Sequence, residues 1–290
     1  MFTRRQLAGV CAAALLATPA AWAQTLEAPA STYSPTVGQQ GKDVIWVPTQ
    51  QALIDRMLDM AEVTQQDYLV DLGSGDGRTV ITAAKRGLRA HGIEYNPDMV
   101  ALSKRAAANE GVAERATFEQ ADIFESDFSK ASVVTLFLLP DLNLKLRPTL
   151  LDMKPGTRVV SNSFMMGDWQ PDASVESGPT ANCSSFCRAH LWIIPAKAAG
   201  VWDLGNQGQL ELKQTYQALE GTLTQGSRAI PLQDAKLKGS EITFVADGKR
   251  YAGTLEGTRI NGRVDGGSSW SGSRKTVSYT HLRAHETKAN

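Results

Sequence analysis

The sequence predicts an α/β protein in which a doubly wound parallel sheet is followed by a small all-β module. From residue 44 to residue 195, short apolar segments alternate with helix-length segments, a pattern typical of parallel strands connected by helices. After Pro195 the chain changes to short strands with frequent glycine and threonine. The 290 residues exceed a typical single domain, and a content of 42% apolar residues can support two cores.

The first 23 residues have the features of an export signal. Arg4 and Arg5 precede an apolar stretch that ends at Ala17, and residues 21–23 form a small-residue cleavage site. The paired arginines fit either a twin-arginine signal or an ordinary secretory signal. We expect an exported, periplasmic protein that begins near Gln24, continues through a linker at residues 24–43, and has no membrane span after signal removal.

The first strand of the sheet, residues 67–72, runs directly into a turn in which three glycines alternate with small polar residues. Glycine permits positive φ and close approach of backbone N–H groups to a ligand, so the turn is typical of a nucleotide-cofactor site. A dinucleotide site would need its third glycine at position 78, which is Arg78. Acidic side chains instead suit a ligand with an amino-acid end and a sulfonium. The predicted site residues here are Asp71, Gly73, Ser74, Gly75, Asp76 and Gly77.

The next two strands also lead to acidic residues. The second strand, residues 89–94, ends at Glu94, one helix length after the glycine turn. Because consecutive parallel strands end side by side above one crevice, we expect Glu94 to accept hydrogen bonds from both ribose hydroxyls of a nucleotide. The third strand, residues 116–123, contains Asp122 and Ile123 at its exit. Asp122 is equally consistent with an ordinary turn or cap aspartate.

This set of motifs resembles the class I S-adenosylmethionine-dependent methyltransferases, in which a strand that ends in an acid runs into a G-x-G-x-G loop. The resemblance implies a Rossmann-like sheet and S-adenosyl-L-methionine as the cofactor. It also implies that Asp122 accepts the adenine amino group and that the Ile123 backbone N–H faces an adenine ring nitrogen. Further segments resemble a subgroup that includes archaeal and mitochondrial protein-lysine methyltransferases, namely residues 46–49, 132–148 and 154–161.

The fourth strand, residues 132–140, is a nearly unbroken apolar run, as expected of a central strand buried on both faces. At its exit we expect Leu139, Pro140 and Asn143 to face the methyl group that is transferred, with Trp46 and Pro48 as a lid. Simpler interpretations stay open, because Pro140 can merely end the strand and Asn143 can merely cap the following helix.

The two cysteines of the mature chain, Cys183 and Cys187, lie in a serine-rich segment before the last strand of the sheet. An oxidising compartment favours a disulfide between them over free thiols. A zinc site is not expected, since two cysteines without clustered histidines do not supply four ligands. No other metal site is predicted.

The all-β module, residues 196–275, uses one turn-and-strand pattern twice, at residues 237–242 and 255–260, as in a meander or a small barrel. We expect its aromatic residues to form a core, although they could line a binding face. Residues 276–290 follow no pattern of the module and are interpreted as an artefactual tail. The aromatic residues in question are Trp202, Tyr216, Tyr251 and Trp270.

The predicted function is methyl transfer by in-line displacement to a nucleophile on a protein or a small molecule, with a protein lysine amine as the expected acceptor. Zero net charge and the absence of lysine or arginine runs in the sequence disfavour a nucleic acid acceptor. Because S-adenosylmethionine is made in the cytosol, export conflicts with turnover. The alternative function is therefore that of an exported binding module with a catalytically idle Rossmann-like domain. A nucleotide-dependent oxidoreductase is the third hypothesis.

Overall fold

The computed structural model describes residues 33–178 and 183–275, so the predicted signal and the predicted tail lie outside the described residues. Within those two ranges, no helix is both long enough and apolar enough to cross a membrane. The same residues contain no group of three or more His, Cys, Asp or Glu side chains arranged to hold a metal ion.

The first unit contains a mixed sheet of seven strands in the described part of the chain, in the order β3-β2-β1-β4-β5-β7-β6. Strands β1 to β5 are parallel, and β7 runs antiparallel to both β5 and β6. The order reverses between β1 and β4, and ligands bind at such switch points beyond the carboxyl ends of the strands. The strands are β1 Tyr68–Leu72, β2 Arg89–Glu94, β3 Ala116–Gln120, β4 Val133–Leu136, β5 Arg158–Asn162, β6 Ala173–Glu176 and β7 Arg188–Ile193.

Helices cover both faces of this sheet, as the doubly wound prediction requires. The neighbouring residues Leu69 and Val70 of β1 point into opposite cores, the first shared with α1 to α3 and the second with α4. At the start of α3, the Asn96 side chain accepts hydrogen bonds from two backbone N–H groups and caps the helix. The helices are α1 Gln51–Met60, α2 Arg78–Lys85, α3 Pro97–Asn109 and α4 Pro140–Leu151.

The second unit is an antiparallel barrel. Strand β9 pairs with both β8 and β10, which closes the sheet, and β11 and β12 follow one another along β10 as a single bent strand. This closure gives a barrel of eight strand positions within the described residues. The elements are β8 Gly200–Asp203, a 3₁₀ turn Gly205–Gln207, β9 Gln209–Thr215, β10 Ala218–Gln225, β11 Arg228–Pro231, β12 Gln233–Lys238, β13 Glu241–Ala246, β14 Lys249–Glu256, β15 Arg259–Val264 and β16 Ser269–Arg274.

The aromatic residues of the barrel are divided between its core and its contact with the first unit. Trp202, Tyr251 and Trp270 are buried, and the rings of Tyr251 and Phe244 stack with centroids 4.7 Å apart. Tyr216 instead stacks on Trp169 of the first unit at 5.5 Å. The prediction that these aromatic residues form a core therefore holds for three of the four. The fourth, Tyr216, forms part of the contact between the barrel and the first unit.

Candidate active site

The glycine turn after β1 has the backbone conformation that its sequence predicts. Gly73, Gly75 and Gly77 have φ angles of +77°, +54° and +81°, and Gly77 is the N-cap of α2. A Cβ atom added at Gly75 would lie 2.7 Å from Nε1 of Trp46. Glycine is thus required at position 75 both by the positive φ and by the indole that lies against the turn.

Glu94, at the end of β2, joins the glycine turn to the start of α3. Its Oε2 accepts a hydrogen bond from the Gly75 backbone N–H at 2.9 Å, and its Oε1 accepts one from the Asn96 N–H at 2.9 Å. A carboxylate has about four acceptor positions, so these two bonds leave two for a ligand. The predicted role of Glu94, accepting two ribose hydroxyls, would need two such positions.

Asp71, at the end of β1, is a buried acid in the wall of the cavity. Its Oδ1 accepts a hydrogen bond of 2.6 Å from Thr135 Oγ1 on the neighbouring strand β4. Burial raises the pKa of the Asp71 carboxyl to about 7, the nearby carboxylates of Glu94 and Asp76 add to the rise, and the Thr135 hydrogen bond opposes it. A positively charged ligand would favour the ionised form of this side chain.

Asp76 is paired with the arginine that breaks the dinucleotide pattern. The Arg78 guanidinium contacts the Asp76 carboxylate with an Nη2–Oδ2 distance of 2.6 Å. Nη1 of the same arginine donates to the Thr49 carbonyl at 3.2 Å. Arg78 therefore links the glycine turn to the chain segment that carries Trp46, and it compensates the charge of Asp76.

A hairpin formed by residues 38–46, here named the lid hairpin, lies beside these acids. Backbone hydrogen bonds of 2.9 Å from Gly38 N to Trp46 O and from Trp46 N to Gln39 O close it. At its tip, Lys42 forms an ion pair with Asp122 and lies 4.7 Å from the centre of the Tyr95 ring. The hydrogen bond from the Lys42 ammonium lowers the pKa of the Asp122 carboxyl.

These elements surround a cavity of about 1050 Å³, a volume that includes its open mouth. Eight of the nine predicted cofactor residues line it, together with the predicted lid residues Trp46 and Pro48. The ninth, Gly77, is packed against Phe118 and Ser103. Sequence reasoning misses Lys42, because the segment that carries it reads as a linker. The eight residues are Asp71, Gly73, Ser74, Gly75, Asp76, Glu94, Asp122 and Ile123.

Three residues are expected beside the transferred methyl group, namely Leu139, Pro140 and Asn143. In the part of the chain that the structure describes, none of them lines this cavity. Strand β4 ends at Leu136, four residues before Pro140, so the chain turns away earlier than the apolar run indicates. Leu139 is 46% exposed, and Pro140 is the first residue of α4. Phe137, Leu138 and Leu142 line the cavity instead.

Asn143 lies in α4 and is fully buried, and its side chain connects two segments of the chain. Its Nδ2 donates to the carbonyls of Phe164 and Met165 at 3.3 and 3.2 Å. These bonds tie α4 to the chain that follows β5. The sequence around position 143 carries no signal for this contact, because its partners lie about 20 residues further along the chain.

The family and the relatives that this sequence resembles are described as methyltransferases. The family described as the ANTKMT methyltransferase domain matches residues 71–173. A protein-lysine N-methyltransferase of Saccharolobus islandicus is 44% identical over 131 residues, covering 44% of this chain and 81% of that protein. An adenine nucleotide translocase lysine N-methyltransferase of Mus musculus is 38% identical over 112 residues, covering 38% of this chain and 49% of that protein.

Among solved structures, an RNA methyltransferase from Salinibacter ruber in complex with S-adenosyl-L-homocysteine is 46% identical. The alignment covers 52% of this chain and 95% of that chain, with a TM-score of 0.48. The chain spans only about half the length of the mouse relative. The region that the family matches, residues 71–173, includes the glycine turn and Glu94. This chain belongs to the class I S-adenosylmethionine-dependent methyltransferases, in the protein-lysine N-methyltransferase family.

Proposed function

We propose that this methyltransferase transfers a methyl group by in-line displacement from S-adenosylmethionine to Nζ of a lysine side chain in a protein. The main support is the similarity to the Saccharolobus islandicus enzyme, which extends over 81% of that protein. The cavity also suits this chemistry, since both acidic and apolar side chains line it. Neither the matched family nor the named relatives support an idle binding module.

The apolar wall explains how a lysine could become a nucleophile. A free lysine amine has a pKa of about 10.4 and must lose its proton before it can attack a carbon atom. Phe137, Leu138 and Leu142 present hydrocarbon to the cavity, and such surroundings disfavour the charged ammonium. When bound, S-adenosylmethionine would supply a methyl group on a positively charged sulfur. As the new N–C bond forms, the methyl–sulfur bond would break, S-adenosylhomocysteine would leave, and the proton lost by the amine would pass to solvent. The protein holds this donor, aligns the amine and excludes water.

We propose further that the mature protein acts outside the cytosol and is exported with the donor bound. Cys183 and Cys187 form a disulfide with a Cα–Cα distance of 5.8 Å, a bond typical of oxidising compartments. The lid hairpin would slow loss of the donor during export. Fractionation of cells that express the full chain tests this proposal: periplasmic protein that begins near Gln24 supports it, and uncleaved cytosolic protein contradicts it.

Binding and transfer measurements test the function itself. In calorimetry, the mature protein should bind S-adenosylmethionine and S-adenosylhomocysteine but not NAD. The protein should then transfer labelled methyl groups from S-adenosylmethionine to periplasmic or cytosolic extracts, with mass spectrometry locating them on lysine. Failure to bind the first two ligands would overturn the whole proposal. Label found only in RNA or in small molecules would overturn the lysine assignment alone.

A further inference from the structure

Three phenylalanine rings meet beside the methyl-donor cavity at the carboxyl ends of the central strands. Phe137 follows β4, Phe164 follows β5 and Phe186 precedes β7. Because β7 is antiparallel to β5 and pairs Ala189 with Asn162, the three positions lie at one edge of the sheet. The ring centroids are 6.1 Å apart for Phe137 and Phe164, 5.1 Å for Phe137 and Phe186, and 5.9 Å for Phe164 and Phe186. We name these rings the aromatic cluster.

The aromatic cluster connects the cavity to the protein surface. Phe137 lines the cavity, whereas Phe186 is 40% exposed. Because part of the Phe186 ring stays in contact with water, its burial stabilises the fold less than the burial of a core ring does. The cluster therefore offers a continuous aromatic surface from solvent to the place where the methyl group must be transferred.

Phe186 differs from the other two rings of the aromatic cluster in its backbone conformation and in the disulfide loop that contains it. Its φ angle is +56°, a conformation that is uncommon for residues with a Cβ atom. The disulfide between Cys183 and Cys187 closes a short loop around it, and Cys187 O accepts a hydrogen bond from the Ser177 N–H at 2.8 Å. The covalent link and this hydrogen bond together hold the loop in place, and with it the Phe186 ring.

We propose that the aromatic cluster is the binding surface for the acceptor side chain, with the disulfide as the element that positions Phe186. This inference rests on the proposed transfer to lysine and specifies where the lysine enters. A lysine side chain has an apolar stem that packs on aromatic rings. Its methylated ammonium form, which is the product of the transfer, is also attracted to the faces of such rings. Residues that act on the donor, such as Glu94, take no part in this surface.

The test uses n-butyltrimethylammonium, which carries the stem and head group of trimethyl-lysine, with n-butanol as an uncharged control. Calorimetry is performed on the mature protein saturated with S-adenosylhomocysteine. Wild-type protein should bind the ammonium probe more tightly than n-butanol. Phe186→Ala should weaken probe binding about tenfold, a change of about 1.4 kcal/mol, with unchanged affinity for S-adenosylhomocysteine. Phe186→Trp should retain probe binding.

Two further variants separate the parts of the proposal. Leu144→Ala removes an apolar side chain of similar exposure, 39%, from α4 and should leave probe binding unchanged. The Cys183→Ser/Cys187→Ser double variant should weaken probe binding as Phe186→Ala does. If only the double variant behaves like wild type, the positioning role of the disulfide is overturned.

The remaining outcomes distinguish this inference from the function on which it depends. Equal probe binding by wild type and Phe186→Ala, or no probe binding by wild-type protein that does bind S-adenosylhomocysteine, would overturn the acceptor surface and leave the methyltransferase assignment intact. Failure of wild-type protein to bind S-adenosylhomocysteine would instead overturn the proposed function.

Discussion

The Glu94 carboxylate accepts a hydrogen bond of 2.9 Å from the backbone N–H of Gly75, and this bond couples the end of β2 to the glycine turn after β1. The two elements that the sequence predicts for donor binding are thus one hydrogen-bonded unit. A second bond, from the Asn96 N–H, extends the unit to the N-cap of α3. Loss of the carboxylate should therefore loosen the turn as well as remove a ligand contact.

The first prediction compares Glu94→Ala with Asn143→Ala. Glu94→Ala should weaken S-adenosylhomocysteine binding about 10- to 100-fold, since hydrogen bonds to charged groups contribute about 1.5–3 kcal/mol. Asn143→Ala should mainly reduce stability, by about 1–3 kcal/mol, because the partly buried carbonyls of Phe164 and Met165 lose their donor. Calorimetry and thermal unfolding measure the two effects. A larger loss of affinity in Asn143→Ala would refute the assignment of Glu94 to the donor.

The second prediction concerns the pH dependence of donor binding. The Asp71 carboxyl has a pKa of about 7 in the folded protein, and the cationic donor should bind its ionised form more tightly. Affinity for S-adenosylmethionine should therefore rise between about pH 5.5 and about pH 8.5, by up to about tenfold per pH unit below the pKa. Asp71→Asn cannot ionise and should bind weakly with a flatter profile. An identical pH profile in the variant would exclude Asp71 as the cause.

The third prediction concerns the stability of the ligand-free protein. Because the pKa of Asp71 is raised on folding, the folded state favours the protonated acid. Its contribution to stability is retained at acidic pH and is lost as the pH rises from about 4 towards 7. Asp71→Asn should thus stabilise the ligand-free protein at about pH 8, by up to about 4 kcal/mol at 1.36 kcal/mol per pKa unit. The difference from wild type should shrink towards about pH 4. Melting temperatures of both proteins across this range measure it, and a constant difference would contradict the explanation.

The fourth prediction concerns the lid hairpin. Lys42→Ala removes the ion pair with Asp122 and the contact with the Tyr95 ring. We expect S-adenosylhomocysteine to dissociate about two- to fivefold faster, a modest change because exposed ion pairs are screened by water and salt. Stopped-flow displacement measures the rate. Lys85→Ala, which breaks the Lys85–Glu110 surface pair, is the matched control and should leave the rate unchanged. Equal rates in all three proteins would mean that the lid hairpin does not restrain the ligand.

The parts of the site that sequence can predict are those set by short spacings along the chain. Gly75 and Glu94 are predictable because a glycine turn and a strand-end acid one helix later must meet in a parallel sheet. The second strand has the bounds that its sequence predicts, Arg89–Glu94. Each of these inferences depends on the geometry of one strand–helix–strand unit, in which consecutive parallel strands end side by side.

The parts that sequence cannot predict depend on contacts between distant segments. Lys42 reaches Asp122 across 80 residues, and no local pattern marks either as the other's partner. The sequence places the end of β4 too late because Phe137 and Leu138 continue its apolar run while lining the cavity. An apolar residue that faces a ligand cannot be told from one that faces a core by hydropathy alone.

The fifth prediction separates backbone strain from steric exclusion at the glycine turn. Gly75→Ala forces a Cβ into a residue with φ of +54° and places it 2.7 Å from Trp46 Nε1. Gly111→Ala imposes the same kind of strain at φ of +68°, but its Cβ would meet no atom of the described structure within 4 Å. Both variants should lose about 1 kcal/mol or more of stability from the unfavourable backbone conformation.

Only Gly75→Ala should also lose affinity for S-adenosylhomocysteine, because the displaced indole and turn no longer fit the ligand. Thermal unfolding compares the stabilities of the two variants, and calorimetry compares their affinities. If both variants lost affinity to the same extent, general destabilisation would explain the effect. If neither did, Trp46 could move away without disturbing the turn, and glycine at position 75 would be needed for the backbone conformation alone.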